Sequence, residues 1–143
     1  MQQHSGQHLI SAIAMKKFGY KTDSWWLSEY PSPSYIELLN NKSGASLSEQ
    51  ELAPLENEIN EIIADARPMN CHILYNEKEV NTFAQGNPMF KPKELPEGSG
   101  PVRVIEIEGV EFNSCCGTHL SKTSELQSVK FTVKHCFDFL FGM

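Results

Sequence analysis

Two short histidine-bearing motifs at opposite ends of the chain constrain its fold more than anything else in the sequence. His4 and His8 stand four apart in MQQHSGQHLISA, and Cys115 and His119 stand four apart in CCGTHL near the other end. In a helix, side chains at i and i+4 share a face, with Cβ atoms about 6 Å apart. Two imidazoles so placed can converge on one ion at about 2.0–2.1 Å per bond. Alone, such a pair reads as two histidines on a wet helix face. The second pair changes the balance by adding a thiolate and an imidazole just after a strand-like stretch, with Gly117 allowing a tight backbone turn between them. One cysteine and three histidines form a mixed soft and borderline donor set that suits zinc. An ion held by all four would keep one cysteine deprotonated and tie the first helix to the sheet.

A length of 143 residues fits one domain, and a chain of this size buries about two-thirds of its unfolded surface without needing staples. The 40% hydrophobic and 21% charged content is that of an ordinary globular protein and argues against wholesale disorder. No apolar run reaches the roughly 18 residues of a membrane-spanning helix. The lysines of the first segment follow its apolar stretch, the reverse of a secretory signal, so a cytoplasmic, reducing setting is expected. Cys71, Cys115, Cys116 and Cys136 do not form a secreted disulfide framework, and metal binding is the better use for at least one of them.

The net charge of −6 opposes a nucleic-acid partner. The charge is segregated, however. Residues 1–22 carry Lys16, Lys17 and Lys21 with no acid, whereas residues 49–65 carry Glu49, Glu51, Glu56, Glu58, Glu61 and Asp65 with no base. One face can therefore be basic on an acidic protein, although a solvated acidic helix explains the same pattern.

Leu9, Ile10, Ile13, Ala14 and Phe18 recur at helical spacing, which predicts a helix over about 2–18 stopped by Gly19. Residues 24–39 are aromatic and β-branched around Pro31, Ser32, Pro33 and Ser34, and read as a hairpin. Here Trp25 and Trp26 are expected as core and rim of a strand rather than as base-stacking platforms. A second long helix is predicted near 48–66, with Leu52, Leu55, Ile59, Ile62, Ile63 and Ala66 on one face and a Ser48–Glu51 capping box. Pro54 lies too deep for its first turn, so that helix either starts near Ala53 or bends. Cys71–Tyr75, with Cys71 and His72 facing opposite ways, reads as a short strand. Residues 84–101 read as an irregular loop, 102–107 as a strand turned at Glu108-Gly109, and Leu126–Val133 as a final strand. His135-Cys136 is a ligand-type pair without a partner, and Phe137, Phe139, Leu140 and Phe141 form an apolar tail at 136–143 that completes the sheet or stays exposed. The fold class expected is α+β, an antiparallel sheet with two main helices packed on it.

The pairing of MQQHSGQHLISA with a distant EGVEFNSCCGTHL resembles the alanyl-tRNA editing domain family, comprising the editing domain of alanyl-tRNA synthetase and its freestanding AlaX-type relatives. The resemblance runs from Met1 to about Val133. It implies an α+β editing fold over residues 1–135, one zinc ion per chain on His4, His8, Cys115 and His119, and an aminoacylated tRNA(Ala) 3′ end as partner. The implied reaction is hydrolysis of Ser-tRNA(Ala), in some members of Gly-tRNA(Ala). Many relatives carry glycine at the Cys116 position, which favours Cys115 as the ligand. The family places pocket residues near Ser24 and just before the second histidine, where Gln7 stands.

The chemistry is coherent from the residues as well. An aminoacyl ester is already activated, so a catalyst must position water and stabilise a tetrahedral oxyanion, and zinc can polarise the carbonyl or acidify water. Four protein ligands nevertheless resemble a closed structural site. A loose ligand, expanded coordination, or a zinc that only holds substrate would each reconcile the two. Separating serine from alanine needs a site that hydrogen-bonds the hydroxyl, for which Gln7, Thr22, Ser24 and Thr118 are the candidates; Thr22 and Ser24 read equally as hairpin residues.

Beside that family the chain looks truncated or alternatively spliced, because His4 follows the first residue so closely and the sequence stops in HCFDFLFGM. A non-catalytic zinc module is therefore the rival reading, and a general RNA-binding domain is disfavoured by the acidity. Cys115→Ala or His119→Ala is expected to abolish zinc binding and Cys116→Ala to preserve it, by elemental analysis of the purified variants; loss of metal from Cys116→Ala would show the ligand register to be wrong.

Overall fold

A computed structural model describes residues 1–29, 32–92, 100–134 and 136–141, with the backbone alone for 133–141. Helix α1 spans Gln2–Ile13 and buries Leu9, Ile10 and Ile13. It widens into a π-turn at Ala14–Phe18 and stops at Gly19, whose φ of 71° is the left-handed conformation that glycine adopts at least cost. With no linker, the chain passes directly into β1 (Tyr20–Trp26), which starts earlier than the expected residue 24. Strand β2 (Ser34–Asn40) pairs antiparallel with β1 from Tyr20↔Asn40 to Trp26↔Tyr35, with a register shift between Thr22 and Ser24. The turn expected around Pro31 lies partly outside the described residues.

The expectation for the two tryptophans is corrected. Trp25 and Trp26 are 49% and 62% exposed. Their strand β1 is the outer one of its sheet.

Helix α2 spans Glu49–Ala64 without interruption at Pro54, so a start near Ala53 is ruled out. The Ser48 N–H donates to Glu51 Oε2 at 3.1 Å, the reciprocal half of the expected capping box. The same carboxylate oxygen accepts the Tyr20 hydroxyl at 2.8 Å, which fastens β1 to the start of α2. Leu55, Ile59, Ile62 and Ile63 are buried along the inner face. Ala66 falls beyond the helix with a φ of 52° and is exposed, contrary to its expected place on the apolar face.

The remaining elements are β3 (Met69–Leu74), α3 (Glu77–Gly86), β4 (Val102–Ile107), β5 (Glu111–Ser114), β6 (Val129–Lys134) and β7 (Cys136–Phe141). A 3₁₀ turn at Thr123–Leu126 precedes β6, so Leu126 sits in the turn rather than in the strand. The backbone of β7 pairs with both β6 and β2. The side chains of the apolar tail, His135 of the His135-Cys136 pair, and residues 93–99 of the expected loop lie outside what is described.

The α+β class holds, with its strands divided between two antiparallel sheets, β1-β2-β7-β6 and β3-β4-β5. The main core joins Leu9, Ile10 and Ile13 of α1, Leu55 and Ile59 of α2, Ile36 and Leu38 of β2, and Ile105 and Ile107 of β4. Strand alternation sends Val104 to the opposite face of β4. There it meets Leu74, Phe90 and Val80, the last from α3. Helix α3 was not legible beforehand, because Val80, Phe83 and Ala84 are its only apolar residues inside a polar stretch. Its start is nevertheless well specified, since the Asn76 side chain accepts the Glu79 N–H at 3.0 Å.

Strand β6 is the other sheet edge, and polar side chains of α2 occupy it. Asn60 accepts the Val129 N–H at 2.9 Å and donates to the Val129 carbonyl at 2.9 Å, while Glu56 accepts the Phe131 N–H at 2.8 Å. An amide on a helix thus stands in for a neighbouring strand.

Candidate metal centre

The two sequence motifs meet. Helix α1 presents His4 and His8, and the loop following β5 presents Cys115 and His119. One potential ligand atom from each of the four lies within 4.8 Å of every other. Cys116 stands outside this group and is exposed.

Loop 115–122 is fixed by contacts that do not depend on an ion. The Cys115 N–H donates to the Arg103 carbonyl at 3.1 Å and the Met69 N–H to the Ser121 carbonyl at 2.8 Å. The Arg103 guanidinium returns a bond to the Cys115 carbonyl at 2.9 Å and another to the Gly117 carbonyl. Gly117 is required for a different reason from the turn expected of it. A Cβ on Gly117 would come within 2.1 Å of His4 Cε1, so the loop and the imidazole are in direct contact and no larger residue fits between them. The Gly117 N–H also points at Cys115 Sγ, 3.4 Å away.

Two of the imidazoles are hydrogen-bonded from behind, and a carboxylate faces the third. His4 Nδ1 lies 3.2 Å from the Thr118 carbonyl, which can only accept, so His4 carries its proton on Nδ1. Its Nε2 faces Cys115 Sγ at 3.5 Å. His119 likewise turns Nε2 toward Cys115 Sγ at 3.5 Å, with Nδ1 3.2 Å from Ser5 Oγ. Ser5 is fully buried, and its hydroxyl oxygen also accepts the Leu120 N–H at 3.0 Å. Behind His8, Nδ1 lies 3.5 Å from Glu111 Oε1. Backing of the outer ring nitrogen by an acceptor is the usual arrangement around a metal-bound histidine.

The three rings lie 4.3 to 5.0 Å apart between centroids. Burial, followed by the neighbouring His8 and His4, pushes the His119 pKa down to about 3. Burial also lowers the His4 pKa, against the raising effect of the Thr118 carbonyl. Neutral imidazole is the form that ligates a metal. The donor set, the lowered pKa values of His4 and His119 and the partners behind their outer nitrogens all fit zinc, which Cys115, His4, His8 and His119 would hold.

Of the candidate pocket residues, Gln7 sits on α1 between the two histidines, and its Oε1 is buried without a hydrogen-bond partner. Thr22 Oγ1 lies 2.7 Å from Ser11 Oγ of α1, and the Ser24 hydroxyl donates to Glu37 of β2 at 2.8 Å. Thr118 contributes its carbonyl to His4. Away from the centre, Cys71 is exposed, while His72 bonds Glu106 at 2.8 Å and packs on Phe83. Sequence reasoning passed over Ser5, Arg103 and Glu111. Their types are common and nothing in their spacing marks them, although Ser5 lies inside the HSGQH motif itself.

Residues 102–135 match the threonyl and alanyl tRNA synthetase second additional domain. Over 132 residues, 91% of this chain, the sequence is 41% identical to the alanyl-tRNA editing protein Aarsd1 of Mus musculus. It is 33% identical over 141 residues, 90% of this chain, to a putative alanyl-tRNA editing protein alaX of Saccharomyces cerevisiae. The chain is homologous to part of the alanyl-tRNA editing proteins. It spans 29% of the length of each of these two relatives. An alanine–tRNA ligase of Saccharolobus islandicus is 30% identical over 91% of this chain, which covers 14% of that protein. No helix among the described residues is long and apolar enough to cross a membrane.

Two outcomes follow from this geometry. Gly117→Ala should push the His4 ring aside and weaken zinc binding by about 10–100-fold, the range typical of disturbed outer-shell contacts, with helix content unchanged by circular dichroism; an unaltered affinity would contradict the close approach. The second concerns acid. Unfolded histidine takes a proton near its usual pKa of about 6.5, whereas His119 in the folded protein stays neutral down to about 3. The unfolded chain therefore binds more protons across that window, and stability falls as pH is lowered through it. The urea midpoint of metal-free protein should drop between about pH 6.5 and about pH 4, and His119→Asn should flatten the decline. A midpoint indifferent to pH in both proteins would refute this.

Proposed function

We propose that this chain is a zinc-dependent deacylase that edits mischarged tRNA(Ala) in trans, releasing serine from Ser-tRNA(Ala) and, as a second substrate, glycine from Gly-tRNA(Ala). One observation carries the reading: His4, His8, Cys115 and His119 converge from the two ends of a chain homologous to proteins named for alanyl-tRNA editing. One zinc per chain, an editing unit over residues 1–135, an aminoacylated 3′ end as partner rather than DNA, and a cytoplasmic setting belong to the same reading. When bound, the ion supplies a Lewis acid for an ester carbonyl or for water.

The chain's own residues would supply selectivity. The amino acid differs between Ser-tRNA(Ala) and Ala-tRNA(Ala) by one hydroxyl. Gln7 Oε1, buried and unpartnered on the helix that carries His4 and His8, is a ready acceptor for that hydroxyl, and alanine would leave it unsatisfied. A site built this way can separate the two by up to roughly 10⁴-fold. Thr22 and Ser24, already oriented by Ser11 and Glu37, and Thr118 are the other pocket residues. Lys16 and Lys21 give the first segment a basic character suited to phosphate contacts, whereas Lys17 is paired with Glu58 of α2.

A second reading rests on the count of four protein donors, which is typical of a structural zinc site. On that reading the centre only joins α1 to the loop, and the chain is a zinc module without activity.

Single-turnover deacylation with zinc-loaded protein separates the two. Serine should leave Ser-tRNA(Ala) at least about 100-fold faster than alanine leaves Ala-tRNA(Ala), a conservative part of the range available to a hydroxyl-recognising site. Absent or equal release with full metal content would leave the structural reading in its place.

A further inference from the structure

The three imidazoles differ in what stands behind them. Thr118 offers a carbonyl to His4 and Ser5 a hydroxyl to His119, both neutral. Behind His8 stands a carboxylate. Glu111 is the first residue of β5, and its side chain is only 20% exposed against the 10% of His8. The two approach to 3.5 Å, within ion-pair distance. Yet His8 Nδ1 and Glu111 Oε1 are both buried without a hydrogen bond. Unpaired buried polar atoms are rare and call for a cause. Here two of them face each other across a gap a few tenths of an ångström too long.

We infer that Glu111 is a positioning residue for the metal centre, its carboxylate accepting the His8 Nδ1–H and balancing the charge of the bound ion. The inference rests on the zinc reading of the four ligands. A dipositive ion with one thiolate and three neutral imidazoles leaves a single positive charge in a half-buried site, and Glu111 is the carboxylate in contact with a ligand. Arg103, the nearby cation, is directed at the backbone carbonyls of Cys115 and Gly117 and does not neutralise Glu111. With Nδ1–H committed to the carboxylate, His8 has Nε2 free for the ion, the same tautomer as His4. The pair would close to a normal hydrogen bond as charge arrives on the far side of the ring. Carboxylate–histidine–metal relays of this kind orient the ring and raise its basicity.

Zinc affinity measured by competition with a chelator, on wild type, Glu111→Ala and Glu111→Gln, tests the assignment together with thermal melting of each protein with and without zinc. Glu111→Ala should bind zinc about 10–100-fold more weakly. Glu111→Gln keeps an acceptor oxygen but not the charge, so it should fall between Ala and wild type. The zinc-induced rise in melting temperature should shrink in the same order, while the metal-free variants melt no lower than metal-free wild type, since the carboxylate has no hydrogen bond to lose there. A merely structural residue would instead lower the metal-free melting temperature. Wild-type affinity in Glu111→Ala overturns the inference and leaves the zinc reading standing, wild-type affinity in Glu111→Gln overturns its charge component, and a wild-type protein that takes up no zinc overturns both.

Discussion

Contact between α1 and the loop after β5 is the constraint on which the rest of the structure depends. It joins residues separated by most of the chain, and Cys115 and Leu120 of the loop pack against the core that α1 shares. The His4 ring rests on a glycine backbone, a buried serine hydroxyl ties the helix to Leu120, and Gln2 reaches the Glu125 carbonyl at 2.8 Å. Bonds of this sort contribute about 1 kcal/mol each. A structural zinc contributes about 10–16 kcal/mol in small domains, as much as the whole stability of a typical domain, about 5–15 kcal/mol. With zinc bound, the ion would dominate this junction. Without it, burial and the neighbouring rings hold the His119 pKa down to about 3 and lower that of His4, among three imidazoles within 5.0 Å of one another.

The remainder of the fold is arranged to hold that junction rigid. Helix α1 is anchored below the histidines by Leu9, Ile10 and Ile13 in the main core. The loop is anchored by Arg103 of β4 and by Met69 of β3, so both walls of the site rest on regular structure. Helix α2 packs under the first and guards the β6 edge through Asn60 and Glu56. These contacts place the four donors before any ion arrives, which is the preorganisation a functional site requires.

Much of this could be read from residue order, and the failures have physical causes. Periodic leucines and isoleucines announced α1 and α2, and the clustering of His4, His8, Cys115 and His119 was expected from two spacings of four together with the family resemblance. Pro54 misled about the start of α2 because tertiary packing of Leu52 and Leu55 outweighs one missing backbone donor. Helix α3 was hidden because it buries Val80 with only a few neighbours. The exposure of Trp25 and Trp26 was unforeseeable from composition, since it depends on β1 being an outer strand. Ser5, Arg103 and Glu111 escaped notice for a deeper reason: they act through geometry behind the ligands, and no spacing rule encodes which acceptor will face an imidazole nitrogen.

The central claim concerns the identity of the atoms around one ion, and X-ray absorption at the zinc edge of the purified protein reads them directly. The account predicts a single sulfur at about 2.3 Å and three nitrogens at about 2.0–2.1 Å. A shell of nitrogen and oxygen without sulfur, or one with two sulfurs drawn from Cys115 and Cys116 together, would contradict it.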